Sequence, residues 1–389
     1  MNVNIKEKLI LLIRLAMGAE TEAVPNLSGS EAAGIYKLAK MHDMGHLAAY
    51  AITRYSLLDG KSEIADRLNQ VYLKAIRRCA RQKFVLERVG EIFENAGVDY
   101  IPLKGSVLRE YYPEDWMRTG SDIDILVKKA DYKKAAELIT GGIKCESRGS
   151  DGYHSGFVTE KNVVIELHEA LMDEHEYEAA GVLDEIWKSA EPVRGAEHHL
   201  RMRDDWYYYH HILHMLMHFE TGGCGLRFLL DLWVLNCMEI TDEMRDARRQ
   251  RLQDAGLLAF ADGAGELASC MFDGREIKSG ELLTMRAFII DGGAYGSTEQ
   301  RVAYQRQKKG GRAGYVLSRV FIPYEKLKLT YPALEDHPAL TPLYEVIRWG
   351  RLIFKPDGSR TKTELRAAGN ATGALSDEKI EKMRKYLGL

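Results

Sequence analysis

The sequence predicts an α+β protein with a small mixed sheet between helical regions, and three observations support this fold class. Apolar residues recur at helical spacing over residues 1–96. The pattern changes to short segments rich in β-formers over about 97–170. Helical spacing then returns from about residue 174 onward. Strands and helices segregated along the chain in this way are typical of α+β proteins.

Three helices are expected in the first region. Apolar residues at helical spacing predict one over 5–16, a second over about 30–56 and a third over about 64–95. Gly97 follows the third pattern, and glycine is a common residue just past the end of a helix. The third helix is therefore expected to end there.

The middle block is the part of the sequence with a clear strand signal. Polar and apolar residues alternate over 121–127, as expected for a strand with one buried face. The predicted elements are strands at 98–103, 121–127, 157–160 and 163–167, a helix at 130–139 and a turn at 161–162. We expect a β-α-β-α-β-β order.

The rest of the chain is expected to be helical. Helices are predicted over about 204–219, 226–237 and 242–290, with a glycine-rich break at 222–225. The predicted regions are a helical region at 1–84, the mixed-sheet core at 85–175, and a helical region at 176–389 that contains a basic segment at 301–331.

Composition excludes several classes of protein. The 389 residues are 46% hydrophobic and 29% charged, which excludes a disordered or fibrous protein. The net charge of −3 does not suit bulk coating of nucleic acid. No uncharged stretch approaches the roughly 18 apolar residues of a membrane span. The five cysteines lack C-x-x-C spacing, so we expect free thiols and a cytoplasmic protein.

The strongest chemical signal is a pair of aspartates on a predicted strand. Asp122 and Asp124 are two residues apart, so their side chains share one face and can hold one or two divalent ions. Upstream, Gly105 and Ser106 lie at a strand-to-helix turn, where backbone N–H groups suit a phosphate. Mg²⁺ typically binds through one or two carboxylates together with substrate phosphates.

A third acid lies on a later predicted strand. Glu166 has apolar neighbours, and an acid there is costly unless it meets a cation or a donor. It is therefore a candidate metal ligand or general base. His168 is two residues further and is expected on the same face.

These residues resemble the bacterial uncharacterised nucleotidyltransferase family of the DNA polymerase beta-like nucleotidyltransferase superfamily. The resemblance covers about 85–350. It rests on Leu103-Lys104-Gly105, Tyr112-Pro113, Arg118, Asp122 to Val127, Glu166-Leu167-His168, His214, His218, Gly222 to Gly225, Arg227, Asp231-Leu232-Trp233, Gly292 to Gly296 and Tyr331-Pro332. Members mostly carry Asp where this chain has Glu166.

The resemblance implies a polymerase beta-like palm and metal-dependent transfer of a nucleoside monophosphate from an NTP to a hydroxyl, with Mg²⁺ or Mn²⁺. It implies Asp122, Asp124 and Glu166 as catalytic and metal-binding residues, and Gly105 and Ser106 at the phosphates. The acceptor stays open between a protein, a small molecule and an RNA. The alternative function is a catalytically silent nucleotide-binding regulator or toxin–antitoxin component.

Further residues have two interpretations each. Lys104 is either a surface residue or a contact of the triphosphate. Arg118 either binds a phosphate or pairs with Asp115 or Asp122.

Residues on the later helices are also open to two interpretations. His214 and His218 face one way and suit a zinc site, the catalytic cleft or the packing beneath it. Arg227 and Asp231 form either a helix ion pair or a substrate-facing pair.

The segment 301–331 is strongly basic. It holds eight lysines and arginines and one acid, Glu325. It is either a solvated helix face or a surface for a nucleotide, RNA or another polyanion, with Tyr304, Tyr315 and Tyr324 as candidates for stacking on bases. Gly310 and Gly311 suggest a hinge.

Overall fold

The structure is a computed structural model that describes residues 3–19, 26–58, 63–150, 154–171, 183–354, 364 and 376–389. The chain divides into two compact units. The first comprises residues 1–214 and 227–276, and the second comprises 215–226 and 277–389. The predicted boundary at 175/176 lies outside the described residues, so the three-region division stays a prediction.

The first unit begins with four helices. They are α1 (Val3–Ala16), α2 (Gly29–Met41), α3 (Gly45–Arg54) and α4 (Glu63–Ala96). Ser28 caps α2 in a reciprocal capping box with Glu31. The single helix expected over 30–56 is therefore two helices, and Asp43 lies between them with φ of 57°. That left-handed conformation cannot continue a right-handed helix.

A five-stranded sheet follows. Its strands are β1 (Tyr100–Pro102), β2 (Asp122–Val127), β3 (Cys145–Ser150), β4 (His154–Thr159) and β5 (Val164–His168), in the spatial order β1-β2-β5-β4-β3. β2 and β5 are parallel, and the other neighbouring pairs are antiparallel. The mixed sheet within a largely helical chain confirms the α+β prediction.

One face of the sheet packs on α4. Ile123 and Ile125 of β2 join Ile165 of β5, with Val89 and Phe93 of α4, in one buried cluster. Because strand residues alternate between faces, the acids of β2 and β5 are left to the opposite face.

β3 is a strand that the sequence does not predict. Its sequence lacks apolar alternation because it is an edge strand with mostly exposed side chains.

The remaining elements of the first unit are mostly helical. They are α5 (Gly105–Leu108), α6 (Tyr132–Gly142), α7 (Leu183–Ser189), the two-residue strands β6 (Glu191–Pro192) and β7 (Leu200–Arg201), α8 (Asp204–Glu220), α9 (Leu226–Cys237), α10 (Asp242–Asp254) and α11 (Leu258–Phe272). The last residues of α8 and the first of α9 belong to the second unit.

The second unit is helical in its described part. Its further helices are α12 (Gly280–Gly292), α13 (Thr298–Lys308), α14 (Arg312–Val320), α15 (Tyr324–Thr330), α16 (Thr341–Phe354) and α17 (Asp377–Tyr386). Phe219, Phe288 and Tyr304 pack ring against ring in its core.

The glycine-rich break also belongs to the second unit. Gly296 has φ of 70°, and a Cβ there would lie 1.9 Å from the carbonyl oxygen of Gly222, so only glycine fits. Among the helices of the described ranges, none has the length and apolar character needed to cross a membrane.

Candidate active site

The acidic residues of the candidate site lie on two adjacent parallel strands. The register sets Asp124 of β2 opposite Glu166 of β5, and Leu126 opposite His168. Asp124, Glu166 and His168 therefore share the sheet face that points away from α4. Residues two apart on a strand lie on the same face, as the sequence predicted for Glu166 and His168.

Three side chains of this face come close enough to share an ion. One ligand atom from each of Asp124, Glu166 and His168, here called the ligand group, lies within 4.8 Å of the others. Nε2 of His168 is 3.0 Å from Oδ1 of Asp124 and 3.6 Å from Oε2 of Glu166. The side chain of Glu166 is 27% exposed, which gives access from solvent. Carboxylate oxygens and an imidazole nitrogen fit a divalent cation.

Asp122 lies outside the ligand group, although it shares the strand face of Asp124. Its carboxylate accepts a hydrogen bond from the hydroxyl of Ser121 at 2.8 Å. Burial raises the pKa of Asp122, and the negative charges of Asp124 and Glu166 raise it further. Excess negative charge therefore gathers on this face, as expected where a cation binds.

Lys104 lies in the turn between β1 and α5 and reaches the ligand group. Its Nζ donates a hydrogen bond to Oδ1 of Asp124 at 2.7 Å. Burial acts to raise the pKa of Asp124, but the Lys104 ammonium and the hydrogen-bonded His168 hold it below its usual range. The Lys104 backbone has φ of 47°, which is uncommon for a residue with a side chain. Its carbonyl accepts a hydrogen bond from the Tyr207 hydroxyl at 3.1 Å.

Gly105 and Ser106 follow this turn at the start of α5. A Cβ on Gly105 would lie 3.2 Å from Nη1 of Arg118, so the missing side chain lets the guanidinium approach the turn. The hydroxyl of Ser106 is buried and makes no hydrogen bond within the described part of the chain. It borders a cavity of about 650 Å³ that is lined mainly by α4 and by acidic side chains and that contains no residue of the ligand group. A buried hydroxyl without a partner fits a site that receives a ligand.

Arg118 is held by a buried carboxylate from later in the chain. Its Nε donates to Oδ1 of Asp231 on α9 at 2.6 Å, and its Nη1 donates to the Thr119 carbonyl at 2.5 Å. The Tyr112 hydroxyl donates to the same Asp231 oxygen at 2.6 Å. Asp231 therefore fixes the Arg118 guanidinium beside Gly105.

The ion pairs that the sequence suggested for Arg118 are not formed. Asp115 instead accepts a hydrogen bond from Lys83, and Asp122 accepts one from Ser121. Sequence proximity favoured these partners, whereas the fold supplies Asp231 from 113 residues further along the chain.

A helix ion pair between Arg227 and Asp231, one of the two interpretations of these residues, is also not formed. Arg227 instead donates a hydrogen bond to Oδ2 of Asp43 at 2.5 Å, and Asp43 lies between α2 and α3. Nearby, Nε2 of His46 lies 2.8 Å from the Met117 carbonyl oxygen, and burial lowers the pKa of His46 to about 4.

A family model described as uncharacterised nucleotidyltransferase matches residues 28–273, which is more than half of the chain. The chain belongs to the uncharacterised nucleotidyltransferase family. The matched range contains the ligand group, Lys104, Arg118 and Asp231, and it begins and ends earlier than the stretch of about 85–350 that carried the resemblance. No curated protein and no solved structure matches the chain.

The histidines of α8 have different surroundings. The ring of His214 stacks on that of His210 at 6.1 Å and meets Phe228 edge-on at 5.2 Å. His214 belongs to the first unit and His218 to the second. Neither belongs to the ligand group, which is the metal-binding cluster found among the described residues. A further zinc ligand beside His214 and His218 is therefore not found among the described residues.

Most cations of the basic segment have carboxylate partners within the second unit. The pairs are Arg301 and Arg319 with Glu364, Arg306 with Asp377, Lys308 with Glu220, and Lys328 with Glu325. Lys309 and Arg312 are exposed on either side of the glycine turn. The side chain of Lys326 lies outside the described part of the structure.

The tyrosines of the segment are less available than the sequence suggested. Tyr304 and Tyr315 are 0% and 1% exposed, so they cannot stack on bases. The Tyr324 hydroxyl donates to the Leu334 carbonyl at 2.7 Å.

Sequence reasoning missed three contributors to the site. Tyr207 supports the Lys104 turn, Asp43 binds Arg227, and Tyr112 binds Asp231. Each contact joins residues more than 100 positions apart, so no local spacing could indicate it. Of the three, only Tyr112 could have been singled out from the sequence, because Tyr112-Pro113 forms part of the family resemblance.

Proposed function

We propose that this chain transfers a nucleoside monophosphate from an NTP to a hydroxyl group and releases pyrophosphate. The observation that carries the proposal is the register that sets Asp124 opposite Glu166 beside His168, in a member of a nucleotidyltransferase family. Carboxylates hold the divalent ions that assist phosphoryl transfer.

The side chains fit a divalent cation, either Mg²⁺ or Mn²⁺. Asp124 and Glu166 would hold it, and Asp122 on the same strand face would be the further carboxylate of the site. When bound, the cation would neutralise negative charge on the triphosphate and on the departing pyrophosphate.

The residues that would receive the triphosphate surround the turn after β1. The Ser106 hydroxyl lacks a protein partner, and a phosphate oxygen would supply one. The guanidinium of Arg118 lies against Gly105, and the ammonium of Lys104 lies beside Asp124. Both side chains can donate hydrogen bonds to phosphate oxygens, while Asp231 and Asp124 balance their charges in the structure.

The transfer step needs a base. The acceptor oxygen attacks the α-phosphorus, the bond to the oxygen that bridges to the β-phosphate breaks, and the hydroxyl proton passes to a carboxylate. Glu166, partly exposed on β5, is the candidate for this base, or it completes the ion site instead.

A protein side chain, a small molecule and an RNA end all carry a suitable hydroxyl. The five free cysteines agree with a reducing cytoplasm, where we place the reaction.

The test is incubation of the purified chain with each α-labelled NTP, Mg²⁺ or Mn²⁺, and cell extract, followed by sizing of the labelled product. We expect one NTP to label one class of acceptor. The variant Glu146→Gln should label the acceptor as the wild type does, because Glu146 is an exposed acid of β3 outside the ligand group. Metal-dependent ATP binding without any labelled product would contradict transfer and favour the silent regulator.

A further inference from the structure

The ligand group contains a nitrogen donor as well as oxygen donors. His168 Nε2 points at both carboxylates, at 3.0 Å from Asp124 Oδ1 and 3.6 Å from Glu166 Oε2. The side chain of His168 is only 4% exposed, so its imidazole is not a chance surface neighbour. It lies on β5 two residues beyond Glu166, and the parallel register with β2 fixes its place near Asp124.

The identity of the donors decides which ion suits the site. Mg²⁺ strongly prefers oxygen ligands and keeps several waters, whereas imidazole suits transition metals such as Fe²⁺, Ni²⁺, Cu²⁺ and Zn²⁺. Two carboxylates and one imidazole on one side of an ion leave its other positions open for substrate oxygens.

We propose that His168 is a metal ligand and that the ion bound by Asp124, Glu166 and His168 is a first-row transition-metal cation rather than Mg²⁺. The catalytic role of this ion rests on the proposed function. Its binding can be measured without nucleotide or acceptor.

In the absence of nucleotide, the charges around the site indicate a single ion. Asp122, Asp124 and Glu166 carry three negative charges when ionised, and Lys104 carries one positive charge within 2.7 Å of Asp124. One divalent cation neutralises the remaining two negative charges. A second divalent cation would leave an excess of positive charge and would compete with the Lys104 ammonium for Asp124.

A neighbouring histidine supplies a matched control. His154 on β4 lies opposite His168, and the two rings stack with centroids 5.3 Å apart. His154 does not belong to the ligand group. Replacing either histidine by Ala removes one ring from this stack, but only the His168 change removes the proposed ligand.

The experiment uses Mn²⁺ as a spectroscopic probe for a first-row transition metal and measures its binding to the full chain without nucleotide. Electron paramagnetic resonance of free Mn²⁺ gives the affinity and the number bound, and competition with Mg²⁺ gives the preference. Spin-echo modulation of the bound Mn²⁺ detects a directly coordinated nitrogen. We expect one Mn²⁺ per chain, a coupled nitrogen, and displacement by Mg²⁺ only at about tenfold or greater excess over Mn²⁺.

The variants separate a ligand from a packing residue. His168→Ala should lose the nitrogen coupling and weaken Mn²⁺ binding at least about tenfold, since even an outer partner of a ligand is worth about 10- to 100-fold. His154→Ala should keep both the coupling and the affinity. If His168→Ala does not fold, His168→Gln replaces it, and the nitrogen signal of the wild type is decisive without any variant.

Absence of nitrogen coupling in the wild type, its persistence in the His168 variant, or equal affinity for Mg²⁺ would overturn the proposal. Failure of nucleotidyl transfer with Mn²⁺ binding and nitrogen coupling intact would instead count against the proposed function. Transfer that proceeds with Mg²⁺ and without a nitrogen ligand would count against His168 alone.

Discussion

Asp231 is the residue whose replacement should expose most clearly how the site is supported. Its carboxylate is 1% exposed and its partner Arg118 is 8% exposed, so the pair is almost fully removed from water. Asp231→Asn keeps the shape but leaves the Arg118 charge buried without its counter-ion. Breaking a buried pair from one side costs about 3–5 kcal/mol, and the hydrogen bond from Tyr112 is weakened as well.

The assay is urea unfolding of the full chain, with separate probes for the two units because they need not unfold together. Glu91→Gln is the control, since it breaks an ion pair with Arg88 whose side chains are 54% and 59% exposed, and such pairs contribute about 0–1 kcal/mol. Replacing both Arg118 and Asp231 by apolar residues should recover most of the stability. A loss for Asp231→Asn no larger than that for Glu91→Gln would refute the reasoning.

The remaining predictions concern pH, catalysis and the basic segment. Burial holds the pKa of His46 at about 4 against 6.5 in the unfolded chain, so the unfolded state takes up a proton first and stability falls as the pH drops from 6.5 to about 4. The difference corresponds to about 3 kcal/mol, and His46→Gln should flatten the stability measured across that window. Glu166→Gln should lower kcat strongly with NTP affinity kept if Glu166 is the base, or weaken Mn²⁺ binding if it is a ligand, whereas wild-type kinetics would remove it from the mechanism. If the basic segment is a surface for RNA or another polyanion, the double change Lys309→Ala and Arg312→Ala should reduce RNA affinity and its salt slope, while altering the unfolding free energy by about 0.5 kcal/mol or less per residue. A collapse of the melting temperature with unchanged RNA affinity would make these two residues structural.

Much of the local structure follows from the sequence because its signals are local. The period-2 pattern of 121–127 places Asp122 and Asp124 on one face of a strand, and β2 has these bounds to within a residue. Gly97, with φ of 65°, ends α4 where a glycine stop was expected. These features depend on side-chain alternation and backbone freedom, which neighbouring residues determine.

The rest depends on which segments meet in space. The sequence predicts the strand that carries Glu166 but not its parallel pairing with β2, and that pairing creates the ligand group. In the same way, neighbouring residues favoured Asp115 as the partner of Arg118, whereas tertiary packing supplies Asp231. Such contacts join distant segments, so they cannot be predicted from composition or from the periodicity of neighbouring residues.

The most direct test of the account is to count labelled acceptor against released pyrophosphate for the wild type and for Asp124→Asn. Asp124 is the carboxylate that Lys104 and His168 both contact, and the change keeps its shape while removing its charge. The account predicts one pyrophosphate for each nucleotide transferred by the wild type, and neither product above background for a folded Asp124→Asn chain with Mg²⁺ or Mn²⁺. Near-normal transfer by that variant would contradict the assignment of this strand face as the active site.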